Sequence, residues 1–252
     1  MSKIISIHSF RGGTGKSNTT ANIAAISAAE GLRIGVVDTD IQSPGIHVLF
    51  GLDADKIEYS LNDFLWGRCD IFKAAYDVGL CFEKTLPGKI FLIPASIKAG
   101  DIARVLQYGY DVNLLREGFK KLISELKLDI LMVDTHPGLN EETLLSIAIS
   151  DILVVVLRPD QQDYQGTGVT LEVSRHLEVP RMYLVVNKVP SCLHLDDLKN
   201  KVSETYHCEV AGVIPHSDHM MVLASEGIFV LRYPDHPVTL AYHEITKKLV
   251  TL

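Results

Sequence analysis

The sequence predicts one α/β domain over residues 1–252, built on a doubly wound, mostly parallel sheet. Short apolar runs that fit buried strands alternate with segments of helical periodicity along the whole chain. These runs are apolar on both faces, which is typical of parallel strands covered by helices on each side. No linker rich in proline, glycine or serine and no internal repeat interrupts the alternation, so we predict a single domain.

The individual elements follow from apolar periodicity and from residues that start or stop helices. The predicted strands cover residues 4–7, 33–38, 89–94, 128–134, 152–157, 182–188 and 209–214. The predicted helices cover residues 17–30, 60–67, 70–76, 97–107, 112–126, 164–177, 195–206 and 238–250. Gly31 is a stop signal for the first helix, and Ser60, Asp70 and Asp111 are N-cap residues for later ones.

A glycine-rich stretch, FRGGTGKS at residues 10–17, connects the first predicted strand to the first predicted helix. Strand, glycine turn and helix is the order that a phosphate-binding loop requires. Glycines let the backbone wrap closely around an anion, and a helix start directs free N–H groups and partial positive charge towards it. Lys16 supplies a cation for the outer phosphates, and the Ser17 hydroxyl is a suitable ligand for Mg²⁺.

The usual phosphate-loop pattern, GxxxxGK followed by Ser or Thr, fails at its first position, where this chain has Phe10. Two adjacent glycines preceded by a cation stand in its place, in the order Arg11, Gly12, Gly13. This arrangement resembles the deviant phosphate loop of the ParA/MinD family of ATPases. The family has a signature lysine where this chain has Arg11, and the resemblance covers essentially the whole chain. It implies a P-loop NTPase fold.

Three aspartates follow predicted strands at the edge where parallel sheets bind their ligands. Asp38 ends the second strand, Asp40 lies two residues further on, and Asp134 ends the strand at 128–134. The resemblance implies that Asp38 and Asp134 hold Mg²⁺ together with Ser17, and that Asp40 orients the attacking water. An Asx turn without a catalytic role is the structural alternative for the first two aspartates.

The chain continues after Asp134 with Thr135, His136, Pro137 and Gly138, so that a histidine replaces the first proline of the family's pattern. We expect a loop histidine engaged in a hydrogen bond. A sensor of the terminal phosphate is the alternative.

The resemblance also implies a base-binding set, because Asn187, Pro215 and Asp218 match positions at which the family holds adenine. An amide can hydrogen-bond a base edge, and a proline at a strand end offers a flat apolar contact. The implied nucleotide-contacting residues are Gly12, Gly13, Thr14, Gly15, Lys16, Ser17, Asn18, Asn187, Lys188, Pro215 and Asp218. The implied catalytic residues are Lys16, Asp40 and Arg11.

Composition limits the classes of partner and of compartment. The net charge of −7, from 24 basic and 31 acidic residues, gives no bulk attraction to DNA or anionic lipid, although a local basic patch would still allow a DNA surface. The four cysteines are far apart and form no CxxC pair, which argues against a disulfide framework and suits a reducing compartment. With no signal peptide and no apolar run long enough for a span, we expect a cytoplasmic protein.

As a function, the resemblance implies an ATP-driven switch that binds Mg-ATP, pairs with a second copy across the nucleotides and separates after slow hydrolysis. It further implies an activating or cargo protein and a role in positioning or partitioning that cargo. Because the last predicted helix reaches almost to the end of the sequence, we expect no intrinsic membrane anchor. Three alternatives remain open: a nucleotide-gated binding module with little hydrolysis, an iron–sulfur carrier, and an ATP-dependent ligase such as dethiobiotin synthetase.

Overall fold

Eight strands form one sheet in the computed structural model, which describes residues 2–250. The strands are β1 Lys3–His8, β2 Arg33–Asp38, β3 Tyr76–Asp77, β4 Lys89–Ile93, β5 Ile130–Asp134, β6 Ile152–Leu157, β7 Arg181–Val189 and β8 Glu209–Pro215. Their order across the sheet is β3-β4-β2-β5-β1-β6-β7-β8, and every pairing is parallel except that between β3 and β4. The predicted doubly wound, mostly parallel α/β fold is confirmed.

Helices cover both faces of this sheet. They are α1 Lys16–Ala29, α2 Ile46–Leu49, α3 Leu61–Leu65, α4 Ala99–Tyr108, α5 Val112–Leu126, α6 Glu141–Ala148, α7 Gln161–His176, α8 Leu195–Tyr206, α9 Asp218–Leu223, α10 Phe229–Arg232 and α11 Pro237–Val250. Three short 3₁₀ helices lie at Ala54–Lys56, Ile71–Ala74 and Val78–Cys81. Within residues 2–250, no helix combines the length and the apolar character that crossing a membrane requires.

Side chains alternate strictly between the two faces of the central strands, as the period of a β-strand dictates. In β5, Ile130 and Met132 join the core beneath α1 and α11, whereas Leu131 and Val133 join the core beneath α3 and α5. Alternate residues of β6 divide in the same way between the α1 side and a third cluster under α7 and α8. Burial on both faces explains why these strands are continuous apolar runs in the sequence.

Helix α1 is buried on nearly its whole circumference, with only its C-terminal end leaving the core. Ala24, Ala25 and Ala28 are fully buried, and such small side chains let the helix lie close against the sheet. A helix that is buried on nearly all sides lies inside the protein and not at its surface. Its N-terminus at Lys16 is therefore held firmly against the carboxyl edge of the sheet.

The prediction of a helix at residues 70–76 is wrong. The chain forms a single 3₁₀ turn at Ile71–Ala74 and then the two-residue edge strand β3. Tyr76 pairs with Leu92 across the sheet edge, and its hydroxyl donates a 2.8 Å hydrogen bond to the Tyr59 carbonyl. These long-range contacts outweigh the local helical pattern. The helix predicted at 97–107 begins at Ala99, and α6 was absent from the sequence-based prediction.

Candidate functional site

The glycine loop after β1 wraps the N-terminus of α1 in a backbone conformation that requires glycine. Gly13 and Gly15 have φ angles of 79° and 97°, in the left-handed region that side chains disfavour. Gly15 is also the N-cap residue of α1, and a Cβ atom there would collide with the amide of Asn187. The loop and the helix start therefore form the anion-binding shape that the sequence predicts.

Lys16, Ser17 and Asp134, which the sequence analysis singled out, meet under this loop. The Lys16 ammonium lies 3.6 Å from Asp134 Oδ1, with side-chain exposures of 7% and 1% for the two residues. The Ser17 hydroxyl donates a 2.7 Å hydrogen bond to the other oxygen of Asp134. Thr20, which the sequence analysis did not single out, donates to Asp134 Oδ1 at 3.0 Å. Three neighbours on one helix thus fix the carboxylate at the end of β5.

Asp38 lies beside Asp134, because β2 and β5 are adjacent and pair these two residues in register. Burial, followed by the nearby negative charges of Asp134 and Asp40, raises the pKa of the Asp38 carboxyl well above its ordinary value. The hydrogen bond from the Asp40 backbone N–H and the positive charge of Lys16 lower this pKa, but they offset the rise only in part. Two buried carboxylates side by side favour a bound cation, which would relieve their repulsion.

The residues present fit a magnesium ion with a nucleotide phosphate. Ser17, Asp38 and Asp134 offer a hydroxyl and carboxylate oxygens, the hard ligands that Mg²⁺ prefers. The Thr14 hydroxyl is buried in the loop and has no hydrogen-bond partner among the described residues. A phosphate oxygen held by the loop would supply the missing partner, since buried polar groups are rarely left unpaired. Asp40 lines the loop cavity together with Lys16 and Ser17.

A second cavity, of about 250 Å³, adjoins the loop, and Gly15 and Asn18 line both. Asn187 and Pro215, of the predicted base-binding set, line this second cavity together with Lys188, which was predicted to contact the nucleotide. Its other walls include the apolar side chains Ile214, Met220, Met221, Val238 and Tyr242. An elongated ligand with a charged end and an apolar end would span the two cavities.

Asn187 and Lys188 also brace the phosphate loop. The Asn187 amide donates a 2.8 Å hydrogen bond to the Thr14 carbonyl, and the Lys188 ammonium donates one of the same length to the Gly13 carbonyl. Asp218, in contrast, does not line the base cavity. Its side chain is 92% exposed and lies 3.3 Å from the His216 ring.

Arg11 is not among the residues that line the loop cavity, and its side chain contacts the start of α7 instead. Its guanidinium lies 3.7 Å from Asp160 and 3.6 Å from Asp163, at the start of α7, and the side chain is 40% exposed. Asp163 is almost fully buried and accepts a second, closer contact from Arg158 at 3.0 Å. Sequence reasoning gave no indication of this cluster, because its members stand about 150 residues from Arg11 and follow no motif.

Two histidines lie among these groups. His8, at the end of β1, is fully buried and shares a 2.7 Å hydrogen bond with the Thr135 hydroxyl. Burial, with smaller contributions from the charges of Lys16 and His136, lowers the pKa of His8 to about 3, so its ring is neutral. The sequence analysis missed His8. His136 is hydrogen-bonded, to Asp40, with 2.6 Å between Nδ1 and Oδ1.

Phe10, the residue that breaks the usual loop pattern, anchors the loop against α7. A Cβ atom built at Gly166 of α7 would overlap the Phe10 ring and approach Phe10 Cβ to 2.7 Å. A glycine inside a helix ordinarily costs about 0.5–1 kcal/mol relative to alanine. At Gly166 this cost is offset by the close approach of the loop.

We expect Gly166→Ala to lower the free energy of unfolding by about 1–3 kcal/mol, because overpacking shifts Phe10 and the loop. Gly168→Ala is the matched control, because a Cβ atom at Gly168 meets only Tyr206, at an ordinary 3.8 Å. The control should be neutral or slightly stabilising. Urea denaturation measures both. Equal stability of the two variants would contradict close packing of Phe10 on α7.

The parallel sheet, the glycine loop at the first helix and the carboxylates at the neighbouring strand ends together define a P-loop NTPase fold. A family model described as an AAA domain (AAA_31) matches residues 2–179. An uncharacterized ATP-binding protein of Methanocaldococcus jannaschii is 30% identical, over 99% of this chain and 88% of its own length.

The septum site-determining protein MinD of Bacillus subtilis is 26% identical, over 99% of this chain and 90% of its own length. Among solved structures, the Pyrococcus furiosus cell division ATPase MinD superposes with a TM-score of 0.82 at 19% identity, covering 100% and 99% of the two chains. The chain therefore belongs to the AAA_31 family, within the ParA/MinD group of P-loop ATPases.

Proposed function

We propose that this chain is a Mg-ATP-dependent ATPase that acts as a dimerising switch and positions or partitions a cellular cargo. One observation carries the proposal: Lys16 and Ser17 line the cavity of a glycine loop at a helix start, and both contact Asp134, which lies beside Asp38. Phosphoryl transfer depends mainly on positioning and on charge stabilisation, so these few groups suffice for it. Similarity to a septum site-determining protein supports the positioning role.

Each residue has a defined part in this proposal. The loop N–H groups and Lys16 bind the phosphates, while Ser17, Asp38 and Asp134 hold Mg²⁺ or its water ligands. When bound, Mg²⁺ neutralises charge that develops on the transferred phosphate. Asp40, at the edge of the same cavity, orients the attacking water.

Arg11 is the proposed link between two copies of the chain. Its 3.7 Å ion pair with the exposed Asp160 is a surface pair, and such pairs are worth only about 0–1 kcal/mol. The buried Asp163, 3.6 Å away, is already paired more closely with Arg158 at 3.0 Å. The guanidinium is thus held loosely at the surface beside the loop. Its planar fork matches two phosphate oxygens, so it can leave these carboxylates for the nucleotide of a partner copy.

The test compares the mass of the wild type and of Arg11→Ala by light scattering, with ADP and with a non-hydrolysable ATP analogue. The wild type should dimerise only with the analogue, whereas Arg11→Ala should stay monomeric although it still binds nucleotide. Arg116→Ala, an exposed arginine on α5, is the matched control and should behave as the wild type does. Identical assembly of wild type and Arg11→Ala in both nucleotides would remove Arg11 from the switch.

The three alternative functions can be distinguished from an ATPase switch by simple observations. A nucleotide-gated binding module would bind Mg-ATP without steady-state phosphate release. An iron–sulfur carrier needs bridging cysteines, and the sequence has no CxxC pair. A ligase would require a second substrate for turnover.

We further propose a cytoplasmic location and an activating or cargo protein as partner. A DNA surface would need a local basic patch to offset the net charge of −7.

A further inference from the structure

The contact between His136 and Asp40 joins two loops at the edge of the phosphate cavity. Asp40 lies in the loop after β2, and His136 lies in the loop after β5. Asp40 and Pro137, the neighbour of His136, both line the cavity of the glycine loop. The two side chains are only 13% and 20% exposed, so water competes weakly for their 2.6 Å hydrogen bond.

The two oxygens of the Asp40 carboxylate are used unequally. Oδ1 accepts hydrogen bonds from His136 Nδ1 at 2.6 Å and from the Ser43 backbone N–H at 3.1 Å. Oδ2 has no hydrogen-bond partner among residues 2–250. An ionised carboxylate only accepts, so His136 must carry its proton on Nδ1. One oxygen is therefore anchored, and the other is left for a ligand or a water molecule.

We propose that His136 is a positioning residue, which anchors Asp40 Oδ1 so that Oδ2 receives the water that attacks the terminal phosphate. This inference rests on the proposed ATPase function and adds a residue to it. Without His136, only the Ser43 N–H would hold the carboxylate, and Asp40 would regain rotamer freedom. A proline at position 136 has no side-chain donor, so it could not supply this bond.

The substitutions His136→Leu and His136→Asn separate the hydrogen bond from the bulk of the side chain. Leucine fills a similar volume without a donor, whereas the Asn amide nitrogen can take the place of Nδ1. We expect His136→Leu to lower the rate of ATP turnover about tenfold, as misplacement of a catalytic group does, with nucleotide affinity within about twofold of wild type. His136→Asn should recover turnover to within about threefold of wild type.

Two controls exclude a merely structural role. His243→Leu makes the same change at an exposed histidine on α11 and should leave turnover unaltered. In an Asp40→Ala background, His136→Leu should cause no further loss, because residues that act as a unit are not additive. A further tenfold loss in that background would overturn the proposal.

The tautomer of His136, read from its ring ¹⁵N shifts, tests the contact independently of turnover. The ring should carry its proton on Nδ1 in the wild type and lose this preference in Asp40→Ala. A wild type without any ATP turnover would refute the proposed function and the positioning role with it, while the tautomer would still report the contact. If the wild type turns over ATP, then either unchanged turnover in His136→Leu or an Nε2–H tautomer overturns this inference alone.

Discussion

Replacing Lys16 with alanine should weaken ATP binding by at least about 100-fold. The Lys16 ammonium is 7% exposed and forms its 3.6 Å ion pair with the buried Asp134 beside the loop cavity. The variant loses the cation that would face the phosphates, and removing one charge of a buried pair between binding partners costs about 3 kcal/mol of binding free energy or more. A tenfold change in affinity corresponds to about 1.4 kcal/mol. Calorimetric titration with Mg-ATP measures the effect.

The fold of Lys16→Ala can be checked separately, because Asp134 keeps its hydrogen bonds from Ser17 and Thr20. Circular dichroism should show native secondary structure. Lys120→Ala, which removes an exposed lysine on α5, is the matched control and should bind as the wild type does. Micromolar binding by folded Lys16→Ala would rule out the assignment of residues 10–17 as a phosphate loop.

The sequence sufficed for the sheet because burial on both faces leaves a strong signal. Strands such as Ile152–Leu157 have no polar residue at all, and all six of their side chains are buried. The two-residue strand Tyr76–Asp77 has no such pattern, because it exists only through pairing with β4 at the sheet edge. The short helices α2, α9 and α10 have four to six residues, too few for a periodicity to be read.

The candidate site also contains some residues that the sequence predicts and others that it does not. Lys16, Ser17 and Asp134 could be predicted, because a motif fixes the first two and a strand end fixes the third. Thr20 could not, since a threonine within a helix carries no signal until α1 is placed against β5. The ion pair between Arg11 and Asp163 likewise arises only when α7 packs beside the loop. Tertiary proximity, rather than local chemistry, determines these contacts.

The arrangement around Asp38 shows why the site would depend on its ligands. Two neighbouring carboxylates and the orphaned Thr14 hydroxyl are buried without full compensation in the free chain. Each of these features lowers the stability of the free chain. Binding of a cation and a phosphate would remove this cost and so stabilise the folded state. The proposed switch would draw on this free energy, because a ligand that completes the site favours the conformation in which these groups are assembled.

Asp40→Ala should leave ATP binding close to wild type and reduce turnover by about 100-fold or more. Among the described residues, the Asp40 side chain lines the phosphate cavity but forms no hydrogen bond or ion pair with Lys16, Ser17 or Asp134, so we expect binding not to depend on it. Loss of a group that orients or activates the attacking water costs about 10²–10⁴-fold in rate. The ATP-bound state should accumulate as a consequence.

Calorimetry measures ATP binding and single-turnover phosphate release measures hydrolysis, and both can be carried out on the same protein preparation. Asp55→Ala, which removes an exposed aspartate in the 3₁₀ helix Ala54–Lys56, should match the wild type in both assays. Because the anchored carboxylate is hydrogen-bonded to His136 at 2.6 Å, Asp40→Ala also frees that ring. If ATP affinity fell as far as turnover did, Asp40 would belong to the binding site, and the water-orienting role would have to pass to another residue of the cavity.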